Sequence, residues 1–175
     1  TQHQEWLSRL DEKFEKSKED FVKHFKKKYS GDHLPIWMAT ELFDFGALSY
    51  FYGGLQIADQ ETIAKAYGVP SGKMLETWLR CLNDVRNLCA HHSRLWNRPL
   101  VNQPAWPKPG IITEFDTATN TSRLYAAVLI IRHLLKTVHP STKWVQRLTD
   151  HVATLPTNPY IGLSNAGFPT NWKGF

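Results

Sequence analysis

With 175 residues, 42% of them apolar and 13% aromatic, the chain has the hydrophobic content of one globular domain, or a domain with an arm, which excludes a disordered chain. Twenty-one Lys and Arg against 16 Asp and Glu give a net charge of +5, compatible with an anionic partner such as nucleic acid but not diagnostic of one. No signal-like or membrane-spanning apolar run is present, and two unbridged cysteines point to the reducing cytoplasm and to no membrane partner.

The chain opens at Thr1 instead of a methionine, as expected of a fragment of a longer protein. Residues 3–29 predict a long charged arm helix, because Leu7, Leu10, Phe14, Phe21 and Phe25 recur at three-, four- and seven-residue steps among Lys and Glu. The Lys26-Lys27-Lys28 run complements the macrodipole at its end, as a solvated terminus or an RNA-backbone contact, before Ser30-Gly31-Asp32 breaks the helix. A second helix is predicted over 35–53, with the stripe Met38, Leu42, Phe45, Leu48, Tyr52 and Leu55, and with Gly53-Gly54 as its stop. Gly46 inside it predicts close packing against a neighbouring backbone. A short helix over 60–67 has Asp59 as its expected N-cap and Gly68-Val69-Pro70 as its stop.

The next helix, over 72–92, carries the richest chemistry. Leu75, Trp78, Leu82, Val85 and Cys89 step by three and four and predict its core face. Arg80, Asn83, Asn87, His91 and Arg94 fall within about 60° of one another on the other side, a polar stripe without Glu or Lys that predicts a binding surface. Cys81 and Cys89 lie about 12 Å apart along the same helix and cannot bridge each other. Residues 95–121, with Pro99, Pro104, Pro107, Pro109 and Gly110, predict a long loop. Helices follow over 122–138, with an apolar middle, and over 141–154. The segment 156–175 predicts an extended tail laid down by Tyr160, Phe168 and Trp172. The fold class predicted is all-α.

Arg86, Asn87 and His91 bring a fixed cation, an amide and a side chain that titrates near neutral pH into six residues. That inventory suits a phosphodiester. In RNA cleavage the 2′-hydroxyl attacks its own phosphate, so the protein need only move protons and stabilise charge on the phosphorane. His91 fits the first task and Arg86 the second, with Asn87 orienting the imidazole or binding a phosphate oxygen. On an ideal helix, however, Arg86 points about 140° away from His91, so it must reach around or a second copy of the chain must complete the site. The structural alternatives are an ion pair of Arg86 with Asp84 or Glu41, and a helix-end or core role for His91 and His92. Cys89, His91 and His92 do not give a regular tetrahedral metal set, so neither metal nor cofactor is expected. No nucleophile elbow or triad context occurs, and no helix-turn-helix signal supports a DNA-binding regulator.

The pattern Arg86-Asn87, three residues, His91 resembles the signature of HEPN-type ribonucleases. The longer run Arg86-Asn87-Leu88-Cys89-Ala90-His91-His92-Ser93-Arg94-Leu95-Trp96-Asn97-Arg98 resembles the Abi-like abortive-infection proteins (AbiD/AbiF type) of that superfamily. Leu34-Pro35-Ile36-Trp37, Glu41-Leu42-Phe43-Asp44-Phe45-Gly46, Trp78-Leu79-Arg80 and Gly167-Phe168-Pro169 with Trp172 extend the resemblance over about 5–172. It implies the C-terminal portion of such a protein, since family members carry a further N-terminal region. It also implies a HEPN-like helical bundle and a homodimer in which two Arg/His sets face one cleft. The function implied is metal-independent endoribonuclease activity in bacterial antiphage defence, with RNA as partner and room for an antitoxin or regulatory RNA. Arg86, Asn87 and His91 would be catalytic, and Arg80, Asn83, His92, Arg94 and Arg98 would bind RNA. The alternative is a non-catalytic module that binds RNA or protein through the same stripe.

Overall fold

A computed structural model of the protein describes residues 2–29, 33–115, 119–156, 158 and 160–175. The helical pattern expected over 3–29 is two helices, α1 (Gln2–Lys16) and α2 (Asp20–Lys28). Ser17 makes the break. Its N–H donates to the Phe14 carbonyl (3.3 Å) and its Oγ accepts from the Glu19 N–H (3.3 Å), a local bond that competes with the helix. A straight helix would hold Phe14 and Phe25 roughly 16 Å apart along its axis. With the break their rings meet at 6.1 Å, and together with Val22 they form a buried cluster covered by Phe21, Leu34, Met38 and Leu42. The expected Ser30-Gly31-Asp32 break lies outside the described residues.

The single helix expected over 35–53 is also divided, into α3 (Ile36–Ala39), a 3-10 turn (Thr40–Leu42) and α4 (Phe45–Gly53). Asp44 is the cause: its Oδ1 accepts from the Ala47 N–H at 2.7 Å and caps a new helix after an extended Phe43. Gly46 therefore sits in a first helical turn and not mid-helix. The turn lets Trp6 pack on Phe43 and Phe51, each at 5.6 Å between centroids.

Residues 1–55 make one unit of the structure and 56–175 a second. The second unit begins with α5 (Ile57–Ala66), which starts three residues before the expected point, on Gln56 and not Asp59. Asp59 instead lies in the first turn, where its charge complements the helix dipole. The helix stops as expected ahead of Gly68, whose φ of +65° is left-handed. Ser71 then caps α6 (Gly72–Ala90), its Oγ accepting from the Met74 N–H at 3.2 Å. A Cβ on Gly72 would stand 2.6 Å from Gln60 Cβ and 2.8 Å from the Gln60 carbonyl carbon, so the glycine is what lets α5 and α6 meet closely.

Leu75, Trp78 and Val85 of the expected stripe are buried on the inner face of α6 and Leu82 is partly buried beside them, joined by Cys81, which the stripe did not include. Cys89 does not: it is exposed, because the last turn of α6 runs past the cluster of Cys81, Val85, Leu100 and Ala127. Helices α7 (Leu124–Val138) and α8 (Trp144–Ala153) lie where expected, with Tyr125 to Ile130 of α7 buried.

The 95–121 loop has no helix among its described residues and is fixed by specific bonds. The Trp78 indole N–H donates to the Ala105 carbonyl (2.8 Å), the Ala105 N–H donates to Thr77 Oγ1 (2.9 Å), and Phe115 stacks on Trp78 at 5.2 Å. Positions 116–118 of the loop and 157 and 159 of the tail lie outside the described residues. In the tail, a 3-10 turn (Leu163–Ala166) leads to Phe168, buried on Tyr125 at 4.6 Å, and to Trp172 and Phe175 around it. Tyr160, expected to dock, is 88% exposed. Among the described residues the structure is all-α, the one β-pairing being an isolated Asn158–Ile161 bridge, and no helix is long and apolar enough to cross a membrane.

Candidate functional site

The C-terminus of α6 sets the geometry of the Arg86–Arg98 run. His91 is the C-cap, with its N–H on the Asn87 carbonyl at 3.0 Å. His92 turns left-handed at φ +51°, so that its N–H reaches the Cys89 carbonyl (3.1 Å) and the Ser93 N–H reaches the Leu88 carbonyl (2.9 Å). This pair of bonds is the Schellman closure of a helix, with histidine at the position glycine usually takes. A non-glycine residue there costs on the order of 1 kcal/mol. The other left-handed non-glycine residue among those described is Asn97 (φ +52°), and it belongs to the same run. Its Oδ1 accepts from Arg123 Nη1 at 3.1 Å.

The reversal brings Ser93, Leu100 and Val101 opposite the end of α6. With Asp84, Asn87, Leu88 and His91 they line an open cavity of about 190 Å³. Asn87 and His91, one helical turn apart, thus share one opening. Arg86 is outside that lining, but its Nη1 donates to Asn87 Oδ1 at 2.9 Å, so the long side chain bends back toward the polar stripe. An Asp84–Arg86 ion pair is not formed. Asp84 Oδ2 instead accepts both the backbone N–H (3.0 Å) and the Nδ2 (2.7 Å) of Asn102 and ties the loop to α6.

The five residues expected to bind RNA are placed differently. Arg80 is paired with Glu76 at 2.5 Å, and Glu76, buried itself, also holds Lys73 at 2.8 Å. Asn83 and Arg98 are partly buried, whereas His92 and Arg94 are exposed. None of these five lines the cavity. Burial, with the Asp84 charge beside it, pushes the Cys81 thiol up to about 12, which leaves it protonated and unreactive. Among the described residues no three His, Cys, Asp or Glu side chains gather as a metal site.

Sequence spacing gave no signal for Asp84, Leu100 and Val101 as parts of the site, because the loop residues meet α6 across more than a dozen positions. A second, partly buried polar cluster was equally hidden. His133 Nε2 donates to the Tyr67 carbonyl (3.0 Å), and its Nδ1 faces Glu114 Oε1 at 3.1 Å, where Lys136 also donates at 2.7 Å. Burial raises the Glu114 carboxyl, but the hydrogen bonds and charges of Lys136 and His133 outweigh it and hold the group below its ordinary value.

The charge of the chain is not evenly spread. Residues 56–175 carry 13 Lys and Arg against 7 Asp and Glu, a net of +6, whereas residues 1–55 carry 8 against 9, a net of −1. The positive excess therefore resides in the unit that holds the α6 cavity.

No curated protein and no solved structure matches the chain. A family model for the Abi-like proteins matches residues 1–97, which takes in α1 through α6 and all of the Arg86–Arg98 run except its last residue. That span is narrower than the resemblance at 5–172 and leaves out the Gly167-Phe168-Pro169 ending, but it covers more than half of the chain. It supports a role of the abortive-infection type. The chain belongs to the Abi-like protein family.

Proposed function

We propose that the protein is a metal-independent endoribonuclease of the HEPN class that cleaves RNA by attack of the 2′-hydroxyl, in defence of the abortive-infection type. The observation that carries this reading is the junction of Arg86, Asn87 and His91: two of them line one cavity and the third is hydrogen-bonded to it. The guanidinium is donor-only, suited to the non-bridging oxygens of a phosphate, and the excess positive charge of this unit favours the polyanion. As the 2′-oxygen forms its bond to phosphorus, its proton passes to His91. The bond from phosphorus to the 5′-oxygen breaks, and a proton is delivered to that oxygen from the same imidazole or from His91 of a second copy across a two-fold axis. Arg86 stabilises the extra negative charge of the phosphorane, and Asn87 holds the guanidinium in place.

Incubation of the purified protein with mixed RNA tests this. Products ending in a 2′,3′-cyclic phosphate and a 5′-hydroxyl are expected, in EDTA as in its absence, with no cutting of DNA. His91→Ala lowers the rate by about 10²-fold or more, the scale of a lost general acid–base group. Arg86→Ala does so to a similar extent, through about 3 kcal/mol of lost charge stabilisation. Full activity in a folded His91→Ala protein sinks the assignment. RNA binding without cleavage returns the site to a non-catalytic binding module.

A further inference from the structure

We infer that the cavity at the end of α6 takes one unpaired nucleobase of the RNA, and so is a base subsite beside the scissile phosphate; this deepens the ribonuclease reading and rests on it. Its size comes first. About 190 Å³ is well under the roughly 300 Å³ at which small-molecule sites begin, so it admits a flat ring system but not a whole nucleotide. Its lining is divided. Leu88, Leu100 and Val101 present aliphatic walls of the kind against which an unstacked base packs, and Asp84, Asn87 and His91 supply polar edges.

The polar groups decide between occupants. Both bonds from Asn102 fall on Asp84 Oδ2, so among the described residues Asp84 Oδ1 is left as an acceptor without a hydrogen bond. A carboxylate in the wall repels a phosphate and asks for an N–H donor, and within RNA the richest source of N–H groups is the base edge. Asn87 is fixed in one sense, because the donor-only guanidinium of Arg86 must face its Oδ1. Its Nδ2 is then the atom left to donate to a base carbonyl or ring nitrogen. The phosphate belongs at Arg86 and the base at Asp84 and Asn87, which separates the two charges as a nucleotide requires. An apolar side chain of a protein partner would fill the same volume but would offer nothing to Asp84 Oδ1 and Asn87 Nδ2, desolvating both without a hydrogen bond in return.

The test uses the intact chain and does not depend on cleavage. Methyl and side-chain amide resonances of the ¹³C,¹⁵N-labelled protein are followed during titration with adenosine and uridine 5′-monophosphates, with ribose 5-phosphate as the base-free probe. Saturable shifts of the Leu88, Leu100 and Val101 methyls and of the Asn87 amide are expected with the nucleotides. Ribose 5-phosphate should leave those methyls unmoved. Equal methyl shifts with and without a base overturn the inference. So does a set of shifts produced by N-acetyl-leucinamide and not by either nucleotide, which assigns the cavity to a protein side chain. A protein that fails to cut RNA yet shows base-dependent shifts loses the ribonuclease reading and keeps the base subsite, and one that cuts RNA without them does the reverse.

Discussion

At the scale of the residue, two carboxylates of residues 56–175 each gather a pair of basic side chains. Glu76 gathers Lys73 and Arg80 on α6, and Glu114 gathers His133 and Lys136 at the end of the long loop. His133 also meets Trp78 and Phe115 edge-on, so the Glu114 pair sits against the aromatic stack that seats the loop. Because the folded Glu114 carboxyl titrates below its ordinary value of 4.5, its stabilisation is complete above that value and is lost as pH falls through the folded one. Glu114→Gln is therefore expected to lower stability by about 1–3 kcal/mol at pH 7, the scale of hydrogen bonds to a charged group. The gap between variant and wild type should shrink as the pH falls below 4.5. Urea denaturation at a series of pH values checks this, and a gap constant with pH would contradict it.

Among the elements, α6 organises the second unit, since its N-terminus meets α5, its inner face meets α7 and its C-terminus ends in the cavity. The approach to α5 depends on Gly72, which follows the capping Ser71 and faces Gln60. The expected cost of Gly72→Ala is about 1–3 kcal/mol, because the new methyl meets helix backbone and not the flexible end of a side chain. At an open helical position the same substitution would stabilise. A thermal melt distinguishes the two signs: a higher melting temperature would mean that α5 moves aside without penalty. The far end of α6 carries a different strain, since His92 occupies a left-handed turn in order to close the helix. The α6 terminus is thus held by backbone bonds from the two residues that follow His91, which fixes the main chain at His91 one helical turn from Asn87.

For the whole molecule, the expectation is a homodimer whose interface includes the C-terminal half of α6. A two-fold axis there would bring two Arg86–Asn87–His91 sets to one cleft and would give the proposed reaction one imidazole for each proton transfer. Sedimentation at micromolar concentration should report twice the 20.2 kDa chain mass, and a monomer there would weigh against the composite site. The sequence by itself determined the all-α class, the core stripe Leu75–Trp78–Leu82–Val85, the stop at Gly68 and the membership of Arg86, Asn87 and His91 in one short run. All of these follow from spacings of three and four residues or from a single residue's backbone preference, and such signals are local. Only the tertiary structure decided that Ser17 and Asp44 interrupt two helical patterns, because their side-chain bonds prevail once Phe14 can meet Phe25 and Trp6 can meet Phe43. It also decided that Asp84 binds Asn102, 18 residues away, and that His133 binds Tyr67, 66 residues away. Such pairs depend on which chain segments bury their apolar faces together, and no periodicity within a helix encodes that choice.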